Sequence, residues 1–185
     1  VMRLLIALLS EAGGCKSIQG AIYDYLAITD SAPCFEWMKD VIDHLRGLSA
    51  KGYYSNAVQV SELSAVLPPE FILFRLLQLI CEGSSAPLKN QIREQSSNNS
   101  ATVNILDSCA SYVATLSTMN DVVSLFTLND MLYTIVKLVR GPCKENQEHF
   151  VLHSDLLVSL NRVIRMSRPA EAKQSVAWIE CFEVL

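Results

Sequence analysis

His149 and His153 stand four residues apart, which puts two imidazoles on one turn of a helix, where they could chelate a transition metal with Cys143 or Asp155 nearby. A closed zinc site needs four ligands, and no fourth of suitable spacing is evident, so a solvated or capping pair is the expected arrangement. His153, Ser154 and Asp155 are consecutive, whereas the members of a catalytic triad meet side chain to side chain from separate elements. Cys143 and His149 do not share a helix face. The run Gly13, Gly14, Cys15, Lys16 and Ser17 has the ending of a phosphate-binding loop, but cysteine holds the place where glycine is needed and a helix, not a strand, precedes it. Nothing here supports catalysis. The chain is expected to be neither an enzyme nor the holder of a cofactor.

The elements that must carry these residues read as helices, and strand alternation is nearly absent. Ile18, Ile22 and Tyr25 form a stripe after the Gly13-Gly14 break, and Phe35, Met38, Ile42 and Leu45 form another after Pro33, which suits a first helical turn. Gly47 is expected to close that helix, with a loop from Ser49 to Asn56. Residues 56–66 read as irregular with a short helix. Pro68-Pro69 then starts a core helix in which Phe71, Phe74, Leu77 and Leu79 fall around more than one side, while Arg75 and Gln78 share one polar face.

Pro87 opens a short helix with Leu88 and Ile92 on one side and Lys89 and Arg93 on another, and Ser96 to Ser100 is a polar loop. Two adjacent stripes follow, Val103, Leu106, Ala110 and Val113 beside Ile105, Cys109, Tyr112 and Leu116, so this helix must pack against two neighbours. Asn120-Asp121 and Asn129-Asp130 both read as N-caps. The second would introduce Leu132, Ile135, Val136 and Val139, ending at Gly141-Pro142. Ser154 is expected to cap a helix with Leu157, Leu160 and Ile164 inward, and Pro169 to start a last one with Ala172, Val176, Ile179 and Phe182 inward. About nine helices with short links give an all-α fold, an armadillo/HEAT-like helical solenoid or irregular multi-helix array.

Half of the 185 residues are hydrophobic and 18% are charged, against roughly a quarter charged in an average domain. That excess implies surface hidden by more protein, and the apolar ends at Val1 and Leu185 read as those of a piece of something larger. A net charge of −4 without blocks of like charge argues against nucleic acid or an anionic membrane as partner. Met2 to Gly14 has the outline of a short signal peptide, but its basic region is a single arginine, and a helix ending at Gly13 is favoured. No stretch reaches the ~18 apolar residues of a membrane span. The six cysteines, evenly spread and without a Cys-x-x-Cys pair, are expected to be buried free thiols of a reducing compartment.

Three separated stretches go further. Gly13-Gly14 with Gln19 and Ile22 to Leu26, then Leu76 to Glu82 with Asn90, Gln91, Arg93, Gln95, Asn104 and Ile105, then Gly141, Pro142, Cys143, Lys144, Glu145, Asn146 and Gln147 resemble the intracellular calcium-release channels. These are the inositol trisphosphate and ryanodine receptors, and the part concerned is their central cytosolic helical region including the RIH-associated domain. The resemblance implies an armadillo-like N-terminal part over 1–66 and an RIH-associated-type domain over 67–185. It also implies a regulatory and coupling role, passing conformational change from a ligand-binding region to the pore of a homotetramer on the cytoplasmic face of the endoplasmic reticulum or another intracellular membrane. Partners would be other domains of the same chain and neighbouring subunits. The alternative is a helical-repeat scaffold for proteins, without a channel.

In that family an activating calcium site draws on the position matched by Glu82. The second carboxylate of the site is matched here by Lys137, a supporting glutamine by Arg140 and a supporting histidine by Ser84. Calcium wants six to eight oxygen ligands and is repelled by an ammonium, so the site is expected to be degraded, with Lys137 paired to Glu82 in place of the ion. Gly141, Pro142 and Cys143 are expected to end a helix, and Asn146 and Gln147 to bond backbone groups at that corner.

Overall fold

A computed structural model describes residues 1–10, 15–53, 71–84, 86–95, 101–141 and 143–165, leaving aside the side chains of Ser84 and Val122. Several expectations therefore lie outside the described residues: the Gly13-Gly14 break, the irregular stretch 56–66, the Pro68-Pro69 start, the 96–100 loop, Pro142 and the helix after Pro169.

Among the described residues nine α-helices and one short 3-10 turn form an all-α fold without strands. They are α1 (Met2–Leu9), α2 (Lys16–Ile28), α3 (Ala32–Ala50), α4 (Ile72–Ile80), α5 (Ala86–Arg93), α6 (Ile105–Leu116), α7 (Val122–Val139), α8 (Lys144–Leu152) and α9 (Leu156–Arg165), with the 3-10 turn Glu82–Ser84 after α4. Side chains start several of them. Asn104 Oδ1 accepts from the Leu106 amide at 2.9 Å and Asp121 Oδ1 from the Ser124 amide at 2.9 Å, and each such cap contributes about 1 kcal/mol.

Packing follows a period of three helices. α1 lies on α4 and α4 on α7; α2 lies on α5 and α5 on α8; α3 lies on α6 and α6 on α9. The described residues thus form three successive triplets with equivalent helices in contact. This explains the apolar circumference of α4, where every residue except Ile72 and Arg75 is buried. α1 covers one side of it and α7 another. Burying a Leu or Phe side chain contributes roughly 1.5–3 kcal/mol, so this short helix is held by its neighbours and not by its own propensity. α6 is the other hub, touching α3, α5, α7, α8 and α9. Its Tyr112 is fully buried beside Phe74, and the phenol is satisfied by Ser49 Oγ at 2.8 Å. Buried side chains from α1 and from α3 to α9 share one continuous hydrophobic core, and partly buried residues of α2 pack against it.

Five expectations need correction. α3 does not close at Gly47 but runs to Ala50, because Leu45 and Ser49 bury against α6 and outweigh the glycine's cost of about 1 kcal/mol. The left-handed residue comes later, at Gly52 with φ 67°. In α2 the inward aromatic is Tyr23, while Tyr25 is 65% exposed. Asn129-Asp130 starts no helix, since α7 is continuous through it; Gln78 of α4 reaches across to Asp130 and Thr134 instead. The inner face of α9 is Leu156, Ser159 and Val163, with Leu157 and Ile164 turned outward. Of the described cysteines Cys81, Cys109 and Cys143 are buried, Cys15 is half-buried and Cys34 is exposed; all are free thiols.

Candidate functional site

Two neighbouring polar clusters hold most of the residues singled out in the sequence. The first is a corner between α7 and α8. Gly141 takes φ 90°, a left-handed conformation that suits glycine, and ends α7. Asn146, fully buried in the first turn of α8, donates from Nδ2 to the Lys89 carbonyl at 3.3 Å and the Leu138 carbonyl at 3.2 Å. Its Oδ1 accepts from Arg93 Nε at 3.1 Å. Gln147 Nε2 donates to the Val139 carbonyl at 2.9 Å and the Gly141 carbonyl at 3.4 Å, which takes up carbonyls that α7 leaves free at its end. Cys143, buried, places Sγ 3.4 Å from Asn90 Oδ1. Three helices are tied at this corner by neutral amides.

The same device recurs. Gln19 of α2 donates to the carbonyls of Leu79 and Glu82 at 2.9 and 3.0 Å, fixing the end of α4. Gln91 donates to the Leu26 carbonyl. Gln95 brackets Val103, donating to its carbonyl at 2.9 Å and accepting from its amide at 2.6 Å. A buried amide with its bonds made locks one geometry, because losing any bond strands a desolvated group.

The second cluster is a small cavity of about 150 Å³ lined by Cys81, Glu82, Gly83, Lys89, Lys137 and Arg140. Lys137 Nζ lies 2.6 Å from Glu82 Oε2, the pairing expected from the sequence, and 4.9 Å from the centre of the Tyr133 ring. Burial works against the charge on Lys137, but its bonds to Glu82 and Tyr133 prevail and raise its pKa above 10.5. Lys89 is only 1% exposed, and its Nζ donates to the Arg140 carbonyl at 2.5 Å. Burial lowers its pKa. Among the described residues neither Lys89 nor the Arg140 guanidinium forms an ion pair. Cys81 contributes no charge, its thiol pushed up to about 12 by burial.

This donor set does not suit calcium. One carboxylate faces the cavity, and it is already held by the Lys137 ammonium, while two further cations, Lys89 and Arg140, line the remaining walls; a divalent ion that takes six to eight oxygens would meet net repulsion. The position of the Ser84 side chain lies outside the described residues. The resemblance points to Glu82, Lys137 and Arg140, whereas the sequence places Lys89 with Arg93 on another side of α5 from Leu88 and Ile92 and assigns it no site. The signal available was its place at i, i+1 from the buried Leu88, on a helix too short and too wedged to keep a free side.

The histidines build something different. His149 Nε2 sits 2.7 Å from Asp107 Oδ1 and 3.3 Å from Asn104 Nδ2, joining α8 to the start of α6. The His153 ring is 5.9 Å from that of His149, tilted and without a shared third ligand. Among the described residues no group of three or more His, Cys, Asp or Glu converges as a metal site requires. A wider depression of about 430 Å³ nearby, between Arg46, Asp107, His153 and Asp155, mixes both signs of charge. Cys15 and Lys16 form the start of α2, and the glycines before them lie outside the described residues.

Comparison with known proteins bears on both clusters. Residues 70–164 match the family described as RyR and IP3R homology associated. The curated inositol 1,4,5-trisphosphate receptor itr-1 of Caenorhabditis elegans is similar, 31% identical over 118 residues that cover 56% of this chain. The chain spans about 4% of the length of that relative.

Proposed function

Since the chain belongs to the RyR and IP3R homology associated family, we propose that it is a regulatory and coupling segment of an intracellular calcium-release channel. In this reading it carries no catalytic centre and relays movement between a ligand-binding region and a pore, within a homotetramer facing the cytoplasm from an intracellular membrane. The observation that carries the reading is the match over 70–164, which spans α4 to α9 except the end of α9. Two physical features support it. Helices stacked in triplets suit a relay of linked rods, as in an armadillo-like array, and amides such as Gln78 and Asn146 bond one triplet to the next. No described helix is long and apolar enough to cross a membrane, so any pore is formed by other parts of the parent.

The test uses the full-length parent reconstituted in vesicles, with agonist binding and calcium flux measured side by side. Gln78→Ala, which severs the link from α4 to α7, should leave agonist affinity in place and cut evoked flux. An intact parent that conducts no calcium would overturn the channel reading and favour a helical-repeat scaffold. Unchanged gating in the variant would overturn the coupling role.

A further inference from the structure

Glu82, Lys89, Lys137 and Arg140 come from three elements, the turn after α4, α5 and the end of α7, and they face one cavity. Their formal charges are one negative and three positive. Glu82 and Lys137 neutralise each other at 2.6 Å. The Lys89 ammonium and the Arg140 guanidinium remain as two like charges without a carboxylate partner among the described residues, one of them 1% exposed. Lys89 uses one hydrogen on the Arg140 carbonyl, and an ammonium carries three.

A buried cation beside a second cation is costly unless something of opposite sign joins them. The space for it exists. The cavity of about 150 Å³ exceeds the share of one water in the liquid, about 30 Å³, several-fold. It can hold a tetrahedral oxyanion, with Lys89 as a buried point charge and Arg140 as a second cation on its wall.

We propose that this cavity is an anion site, taking a phosphate-class oxyanion at the place where the resemblance would put a cation. The inference deepens the reading of the chain as a regulatory segment, but it concerns what this cavity binds and does not require that a channel be attached. Glu82 then acts against the ligand. It occupies Lys137, which would otherwise be a third donor, and it repels the anion directly. That reversal of sign separates the proposal from a residual calcium site, where Glu82 would be the best ligand.

The experiment titrates the full-length protein with inorganic phosphate and, in a parallel arm, with glycerol phosphate, at constant ionic strength, by calorimetry. Saturable binding at one site per chain is expected. Arg140→Gln, at an exposed position, should weaken it about ten-fold, the scale of one charge-assisted bond. Glu82→Gln should tighten it several-fold. Lys89→Met should weaken it at least as much as Arg140→Gln, with circular dichroism confirming the fold. Equal affinity for the ester and the free ion means the phosphate is presented on a larger molecule, and preference for the free ion means it enters alone. No binding by wild type, binding indifferent to Arg140→Gln, or weakening by Glu82→Gln would each overturn the proposal. Calcium binding that Glu82→Gln abolishes would overturn it as well.

Discussion

The α7–α8 corner and the cavity beside it share a residue and differ in kind. Lys89 gives its backbone carbonyl to Asn146 in the corner, and its ammonium reaches the Arg140 carbonyl at the cavity. In the corner the donors to the backbone are neutral amides: Asn146 and Gln147 take up the Leu138 and Val139 carbonyls that the end of α7 would otherwise leave unpaired, and Asn146 adds a bond to the Lys89 carbonyl inside α5 and accepts from Arg93 Nε. In the cavity the groups are ions in unequal number, and the surplus is positive. Neutral, saturated polarity serves rigidity, because there is nothing left for a ligand to satisfy. Unbalanced charge leaves bonding capacity over. Substitutions in the corner should therefore register as lost stability, and those in the cavity as altered binding and altered pH dependence.

The largest effect is expected from Asn146→Ala. It strands the Leu138 carbonyl beside a fully buried side chain and removes the bonds to the Lys89 carbonyl and to the part-buried Arg93 Nε. The cost is about 2 kcal/mol, since an unsatisfied buried group costs roughly 1–3 kcal/mol and the other two groups keep a helical partner or some access to water. Urea unfolding gives the number as a lowered midpoint at constant slope. A loss below half of that would mean that the corner is looser than its bonds imply, and the contrast with the cavity would fail.

Lys137→Met sharpens the comparison from the other side. It frees Glu82 from its partner, yet Glu82 is part-exposed and water can replace the ammonium. Stability should fall by no more than about 1 kcal/mol, once the pair is discounted for solvent. A loss as large as that of Asn146→Ala would make the pair a structural tie and not one half of a site.

The local part of the corner was legible in the sequence, because a left-handed glycine and two amides within one turn suit the end of α7 and the start of α8, whereas the bonds of Asn146 to Lys89 and Arg93 were not, since α5 lies more than fifty positions away. The core stripes of α3 and α6 were legible for the same reason, periodicity being a local property. What the sequence hid depends on partners far along the chain. Gly47 reads as a stop until α6 is there to bury Ser49. Asn129-Asp130 reads as a cap until α4 supplies Gln78. Lys89 shares a side of its helix with Arg93 in the sequence, and its burial is evident only once the end of α7 closes over it. The inner face of α9 was read one residue out of phase, since Leu156 and Leu157 are equally apolar and only α6 distinguishes them. Glu82 and Lys137 are linked by the resemblance and not by spacing, since they stand 55 positions apart.

Lys89→Met should show the cavity's character through pH. Burial holds the Lys89 pKa below its ordinary 10.5, so between the lowered value and 10.5 the unfolded chain binds more protons than the folded one. Stability contributed at this position therefore rises with pH across that interval. Lys137 works in the opposite sense: its raised pKa contributes stability that is complete below 10.5 and lost as pH climbs through the folded value. Replacing Lys89 by methionine removes the burial cost of a charge and one bond to Arg140 together. At neutral pH the net change should stay within about 1 kcal/mol. The variant's thermal midpoint, followed from neutrality to 10.5, should lack the alkaline rise that wild type shows. A rise that persists would place the titrating group elsewhere.

The smallest effect is expected from Gln147→Ala, and it tests the corner's own rule. Gln147 makes the same kind of bond as Asn146, side-chain amide to helix-end carbonyl, at 2.9 Å to Val139. Its bonds are exposed, however, so water can take over when the amide is gone. The loss should be about 0.5 kcal/mol, the lower end of what a net hydrogen bond contributes. If the losses differ several-fold although the bond counts, three for Asn146 and two for Gln147, are close, desolvation and not bond count sets the strength of the corner. Equal losses would instead mean that Gln147 is shielded in the assembled parent, with further protein lying against α8.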